Sequence, residues 1–296
     1  MPQAGTQRKL DTEICTVRPD RVQIVARTWT KALPEIPRFV RCSDTFVRSQ
    51  TSIRTYDRVR NLKNHETQSE IYLQYHVVPS WLEPVKLTCI GDDFRGLQRA
   101  ELEAICSCFR WTRLLTVELA FDFDKHSAVD REYVLNHASF GKSRLIGGRF
   151  YTTLHFGGRH SDSLTRCYEK PELGCYRVEI QLHSRWLRRH GITQPQHLFR
   201  LPSLLCFDKI KFVDVNWSAL SKYAQRKGHP PSVLADVRSR SRTLHQTLTL
   251  LRTELCLVNV HRFLTPLRIN ETVKAALEAW AERWRNSSIK TRRNPL

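Results

Sequence analysis

Three short stretches carry most of the chemistry this sequence can offer. Leu114–Asp124 reads LLTVELAFDFD and ends in two carboxylates, Asp122 and Asp124, while Cys175–His183 (CYRVEIQLH) carries a third, Glu179. Between them, Leu164–Lys170 (LTRCYEK) sets Tyr168 between two cations, Arg166 and Lys170. Side chains alternate between the faces of a strand. In the first stretch Leu115, Val117, Leu119, Phe121 and Phe123 share one face, and Thr116, Glu118, Ala120, Asp122 and Asp124 share the other. In Tyr176–Leu182 the apolar Tyr176, Val178, Ile180 and Leu182 alternate with Arg177, Glu179 and Gln181. A sheet with one buried face then gathers Asp122, Asp124, Glu179, Tyr168, Arg166, Lys170 and His155 on its open face. Carboxylates so gathered repel one another unless a cation sits among them. Hard oxygen ligands select Mg²⁺ or Mn²⁺, the usual metals of phosphoryl transfer.

Each member also has a plain reading. Asp122 and Asp124 could end a strand in solvated charge, and their shared parity does not choose between them. Glu179 could pair with Arg177, and Tyr168 could be an ordinary strand tyrosine. His155 reads as a surface residue or as support behind the ligands. The set says more than any member.

The elements that must position these residues follow from periodicity. Asp20–Trp29, Glu70–Val78, Val85–Gly91 and Leu114–Asp124 read as strands, and Leu97–Phe109 as an amphipathic helix. Residues 1–20 read as loose, 30–68 as loops with an edge hairpin, and Val129–Ala138 as a helix. A three-strand meander follows over Arg149–Gly157, Leu164–Lys170 and Cys175–His183, with turns at Gly157–Asp162 and Pro171–Gly174. Residues 184–190 open a basic helix. Beyond 196 the chain reads as mainly helical, best over Val233–Val258 and Asn270–Trp284, with Asn270 as cap. Strands followed by helices imply an α+β fold: an antiparallel sheet with one open polar face, then a mainly helical region. The expected divisions are an N-terminal segment 1–69 giving at least one strand to the sheet, a sheet domain 70–195 and a helical region 196–296.

Composition narrows the partners. Of 296 residues 41% are hydrophobic, enough for a sizeable core, and no apolar run is long enough to span a bilayer. No signal-peptide pattern opens the chain, so a cytoplasmic protein without a membrane partner is expected. Lys and Arg number 48 against 29 Asp and Glu, a net charge of +19 that favours a polyanion such as nucleic acid. The nine cysteines are scattered without a CxxC pair, which argues against a zinc site and for reduced thiols. No P-loop, GxSxG elbow or dinucleotide fingerprint is present.

At Phe150–Ile192 the chain resembles the replication initiation factor (Rep-trans) family, the rolling-circle initiators of small plasmids and some filamentous phages. The likeness lies in His155-Phe156-Gly157, Ser161, Arg166-Cys167-Tyr168-Glu169-Lys170 and Arg177-Val178-Glu179-Ile180, with a strand ending in Asp upstream. It extends over about residues 70–192. The resemblance implies that Tyr168 is a nucleophile that nicks one origin strand, forming a 5′-phosphotyrosyl link and a free 3′-hydroxyl. A divalent ion together with Arg166 and Lys170 would favour phenolate and offset transition-state charge. Glu179, Asp122 and Asp124 would hold the metal. The implied partners are origin duplex, then single-stranded DNA, a host helicase and polymerase, and a second copy of the chain. Arg185, Arg188 and Arg189 in the basic helix, and Arg238, Arg240 and Arg242 in the Val237–Arg252 segment, are the expected DNA contacts. The competing readings are a catalytically silent DNA-binding protein on the same fold and a nuclease that uses water.

Overall fold

Alternating sequences such as VQIVA and LTVELAFDF bury one face only when apolar elements cover it. The computed structural model supplies that cover; it describes residues 15–29, 39–43, 56–64, 68–77, 84–91, 96–124, 134–135, 143–147, 152–157, 161–202, 211–241, 244–266 and 269–287. Ten strands form one sheet: β1 (Cys15–Trp29), β2 (Phe39–Ser43), β3 (Tyr56–Asn64), β4 (Glu70–Val77), β5 (Val85–Ile90), β6 (Phe109–Asp124), β8 (Ser143–Gly147), β9 (Thr152–Phe156), β10 (Ser163–Lys170) and β11 (Cys175–His183). Their order is β2-β3-β4-β5-β1-β6-β11-β10-β9-β8, and every neighbouring pair is antiparallel. With helices on one side, the protein is α+β.

Three helices bury their apolar stripes against that side: α1 (Arg99–Cys106), α2 (Ser184–Arg189) and α6 (Ile269–Asn286). Leu102, Ile105, Trp186, Leu187, Leu277, Trp280 and Trp284 join Val22, Ile24, Leu73, Leu87, Leu119 and Val178 in one core. A capping box of Gln98 and Glu101 starts α1, and buried Glu101 also accepts a 2.9 Å bond from Ser69. Arg99 bonds the terminal carbonyls of α6 at Trp284 (3.1 Å) and Arg285 (2.7 Å), tying α6 to α1.

A smaller core lies between. Strands β12 (Lys211–Val215) and β13 (Leu264–Pro266) pair with each other, and helices α3 (Trp217–Arg226), α4 (Pro231–Arg240) and α5 (Leu244–Glu254) pack Leu220, Leu234, Val237, Leu248 and Leu251 beside them. These strands sit in a region that periodicity reads as helical. The single helix expected over Val233–Val258 is two, broken after Arg240. Asn270 lies inside α6 rather than capping it; its amide accepts from Phe212 N (2.9 Å) and donates to Phe212 O (2.7 Å), mimicking a strand partner. Val134–Leu135 is strand β7, paired with Lys211–Phe212, where a helix was expected. Residues 15–20, expected to be loose, are part of β1; residues 1–14 lie outside the described residues.

The junction of β1 and β6 departs from regular pairing twice. Asp20 is an extra residue between Pro19, opposite Leu119, and Arg21, opposite Glu118. Leu115 is the extra residue on β6, so Leu114 enters the core and Leu115 does not, against the simple alternation. Such bulges re-aim side chains. The first is clamped: Leu97 N bonds Pro19 O at 2.9 Å and Gly91 N bonds Asp20 O at 2.8 Å. Gly96, at φ +67°, makes this approach; a Cβ there would stand 2.8 Å from both Pro19 O and Arg18 Cβ. Gly96→Ala is therefore expected to cost about 3 kcal/mol in urea denaturation. Gly174→Ala, at φ +62° but with nothing within 4 Å, should cost only about 1 kcal/mol. Equal losses would show that the bulge is not held by this contact.

Candidate active site

The polar face is assembled by register. Antiparallel partners share a face, and β11 sets Glu179 opposite Arg166 on one side and Ala120 on the other. Arg177 lies opposite Tyr168 and Asp122, and His155 opposite Arg166. The structure thus brings Tyr168, Arg166, Glu179 and His155 together.

Arg177 governs which carboxylates remain available. It is 1% exposed, and buried charge must be paired. Asp122 meets it as a two-oxygen fork, with Nε to Oδ1 at 2.6 Å and Nη2 to Oδ2 at 3.0 Å, and Arg18 also grips Asp122. Asp122 is committed to these guanidiniums. Asp124 is exposed at the end of β6.

A different trio gathers. Asp20, Glu118 and Glu179 each offer a carboxylate oxygen, and the three lie within 4.8 Å of one another. Glu118 and Glu179 are 1% and 2% exposed. Glu118 Oε2 is buried without a hydrogen-bond partner among the described residues. Arg166 reaches into the cluster, pairing with Glu118 and, at 2.6 Å, with Glu179 Oε2. Arg177 Nη1 approaches Asp20 at 3.3 Å. Two buried carboxylates and a half-buried one, with an unpartnered oxygen on Glu118, suit a hard divalent cation such as Mg²⁺ or Mn²⁺. Glu118 has the parity of Asp122 and was visible on that face. Asp20 had no sequence signal, because only the bulge turns it inward.

Tyr168 donates its hydroxyl hydrogen bond to Glu179 Oε1. Burial, and then the Glu179 charge, hold the phenol well above its usual range, outweighing Arg177 and Arg166, which act the other way. Neighbouring cations alone therefore do not offset burial and the Glu179 charge. Lys170, His155, Thr153, Arg166 and Glu172 line the cleft in front of Tyr168. Tyr176, on β11, is buried as its parity requires.

The expected DNA contacts that the structure describes fall on α2 and α4. Arg185 and Arg189 are exposed on α2 and approach Asp162 at 3.6 and 3.0 Å, and Arg188 bonds Ser184 O. On α4, Arg238 stacks over Trp217 at 4.7 Å, and Arg240 pairs with Asp236 and Glu254. Arg242 lies outside the described residues. The thiols of Cys89, Cys106, Cys108, Cys167, Cys175 and Cys256 are free. Among the described residues, no helix is long and apolar enough to cross a membrane.

Burial, followed by Glu179, raises the Glu118 carboxyl to about 7. The folded chain then keeps a proton that the unfolded chain releases above its ordinary value, so this group's contribution to stability is lost as pH rises from about 4.5 toward 7. In metal-free protein, Glu118→Gln should raise Tm relative to wild type at pH 8 and leave it nearly equal at pH 4.5. A difference independent of pH would show that Glu118 ionises normally.

No protein-family model matches the chain, and no curated protein does. Among solved structures, a rolling circle replication initiator protein from Geobacillus stearothermophilus is similar at 16% identity and a TM-score of 0.41, over 68% of this chain and 88% of that one.

Proposed function

We propose that the protein is a metal-dependent DNA strand-nicking and rejoining enzyme of the rolling-circle initiator type, with Tyr168 as nucleophile. The observation that carries this reading is the Tyr168 hydroxyl bonded to Glu179 within a trio of carboxylates, two of them buried. The motif resemblance over residues 150–192 and the net charge of +19 support it.

Asp20, Glu118 and Glu179 would hold the divalent ion, in place of the Asp122, Asp124 and Glu179 set read from the motif. Such an ion supplies positive charge that lowers the cost of a phenolate and polarises a phosphate oxygen. Glu179 Oε1 is positioned to take the phenolic proton. The Tyr168 oxygen then attacks phosphorus; the Tyr168 O–P bond forms as the P–O3′ bond breaks, and the departing oxygen is protonated from water to leave a 3′-hydroxyl. The phosphotyrosyl bond conserves the energy of the phosphodiester, so rejoining needs no nucleotide. Lys170 and Arg166, beside the cleft, would bind the phosphate and offset its transition-state charge. Arg185, Arg188, Arg189 and the arginines of residues 238–242 would hold duplex DNA near the origin, before single-stranded product, helicase and polymerase engage.

Arg166 favours a second reading. Because it bridges Glu118 and Glu179, both carboxylates have a cationic partner without metal, as they would in a protein that only binds DNA.

Incubating the protein with supercoiled origin DNA and Mn²⁺ should yield nicked DNA with protein covalently on the 5′ end. Tyr168→Phe should lower adduct yield on the order of 10³-fold or more with DNA binding nearly unchanged. Nicking by Tyr168→Phe, or nicks without adduct, would point to water as nucleophile. No nicking by wild type would favour the binding-only reading.

A further inference from the structure

The polar face extends beyond the carboxylates along β1 and β6. Next to Glu118 stands Arg21, then the row of Gln23 and Thr116, then Val25 flanked by Lys86 and Arg113, and finally Arg27 opposite Trp111. All belong to one face, because each row is a set of directly paired residues. The last of these rows carries an aromatic side chain that the fold leaves open, one row before Trp29 and Phe109: Trp111 is 37% exposed. Large aromatics are normally covered, and neither bulge nor core explains this one.

Its neighbours are cations. The Arg27 guanidinium lies 4.8 Å from the indole centroid and that of Arg113 lies 5.5 Å away. Arg113 Nε and Arg21 Nε are buried without hydrogen-bond partners among the described residues. No carboxylate pairs with Arg113 or Lys86 among those residues. A stripe of this kind offers positive charge beside an open π surface.

We infer that Trp111, Arg27 and Arg113 form a stacking platform for a base of single-stranded DNA, whose backbone runs along Arg113, Lys86 and Arg21 toward the Tyr168 cleft. This rests on the reading of the polar face as the face that handles DNA. Indole and guanidinium planes stack bases without regard to sequence, and a single strand exposes the base faces that a duplex hides. From Trp111 to Glu118 is seven positions with one bulged, about 20 Å at the rise of a strand. That is the lower end of single-strand site sizes, about four nucleotides. A membrane or acidic protein would use the charge but not the stacking surface.

The test is fluorescence anisotropy of a labelled oligodeoxythymidylate on the full chain in EDTA. Cleavage chemistry is then silent, and the platform stands or falls apart from the tyrosine reading. Trp111→Ala and Trp111→Leu should each weaken binding about 5- to 100-fold, the usual range for loss of one stacked base. Trp111→Phe should keep most of the affinity. Arg27→Ala should lower the slope of log K against log salt by about 1. Affinity for the same-length duplex should barely change with Trp111→Ala. Wild-type affinity in both Trp111→Ala and Trp111→Leu would overturn the proposal, as would equal losses for single strand and duplex. Thermal denaturation of each variant separates loss of binding from loss of fold.

Discussion

The guanidinium of Arg177 is buried in the middle of the sheet, and the polar face is arranged around it. A buried charge survives only if an opposite charge meets it in good geometry, and losing the partner typically costs about 3–5 kcal/mol. Asp122 meets that requirement with both oxygens. The consequence reaches the chemistry: Asp122 is committed, and the carboxylates left in surplus are Asp20, Glu118 and Glu179. Where buried negative charge exceeds what Arg166 and Arg177 neutralise, a divalent ion has a reason to bind.

The fold keeps this arrangement in place from behind. Helices α1, α2 and α6 close one side of the sheet with a continuous apolar core, so the strands that carry Glu118, Glu179 and Tyr168 cannot slip without exposing Val117, Leu119, Val178 and Ile180. Register sets the spacing: Glu179 faces small Ala120, which leaves Glu118 and Asp122 as diagonal neighbours. The bulge at Asp20 then turns a third carboxylate inward from β1. Its clamp ties the site to Gly91, at the end of β5, and to Leu97, just ahead of α1.

Much of this was legible in the residues, and what was not had a physical reason. Alternation of two placed Tyr168, Arg166, Glu179 and Glu118 on one polar face, because one face of each strand is apolar. Alternation cannot say which acidic residue meets which cation, since that depends on register between strands distant in sequence. Asp122 therefore looked like a ligand, although it stands opposite Arg177. Asp20 was illegible, because bulges come from backbone bonds made by Gly91 and Leu97 about 70 residues away. Strands β12 and β13 were hidden for a like reason: they are short, and their partners lie far along the chain.

The claim that a divalent ion sits among Asp20, Glu118 and Glu179 beside the Tyr168 oxygen is most directly tested by diffraction at the manganese absorption edge, from crystals grown with Mn²⁺. The account predicts one anomalous peak about 2.1 Å from an oxygen of each of those three carboxylates, with Arg166 displaced from between Glu118 and Glu179. A peak against Asp122 or Asp124, or no peak with Arg166 still bridging the two glutamates, would contradict it.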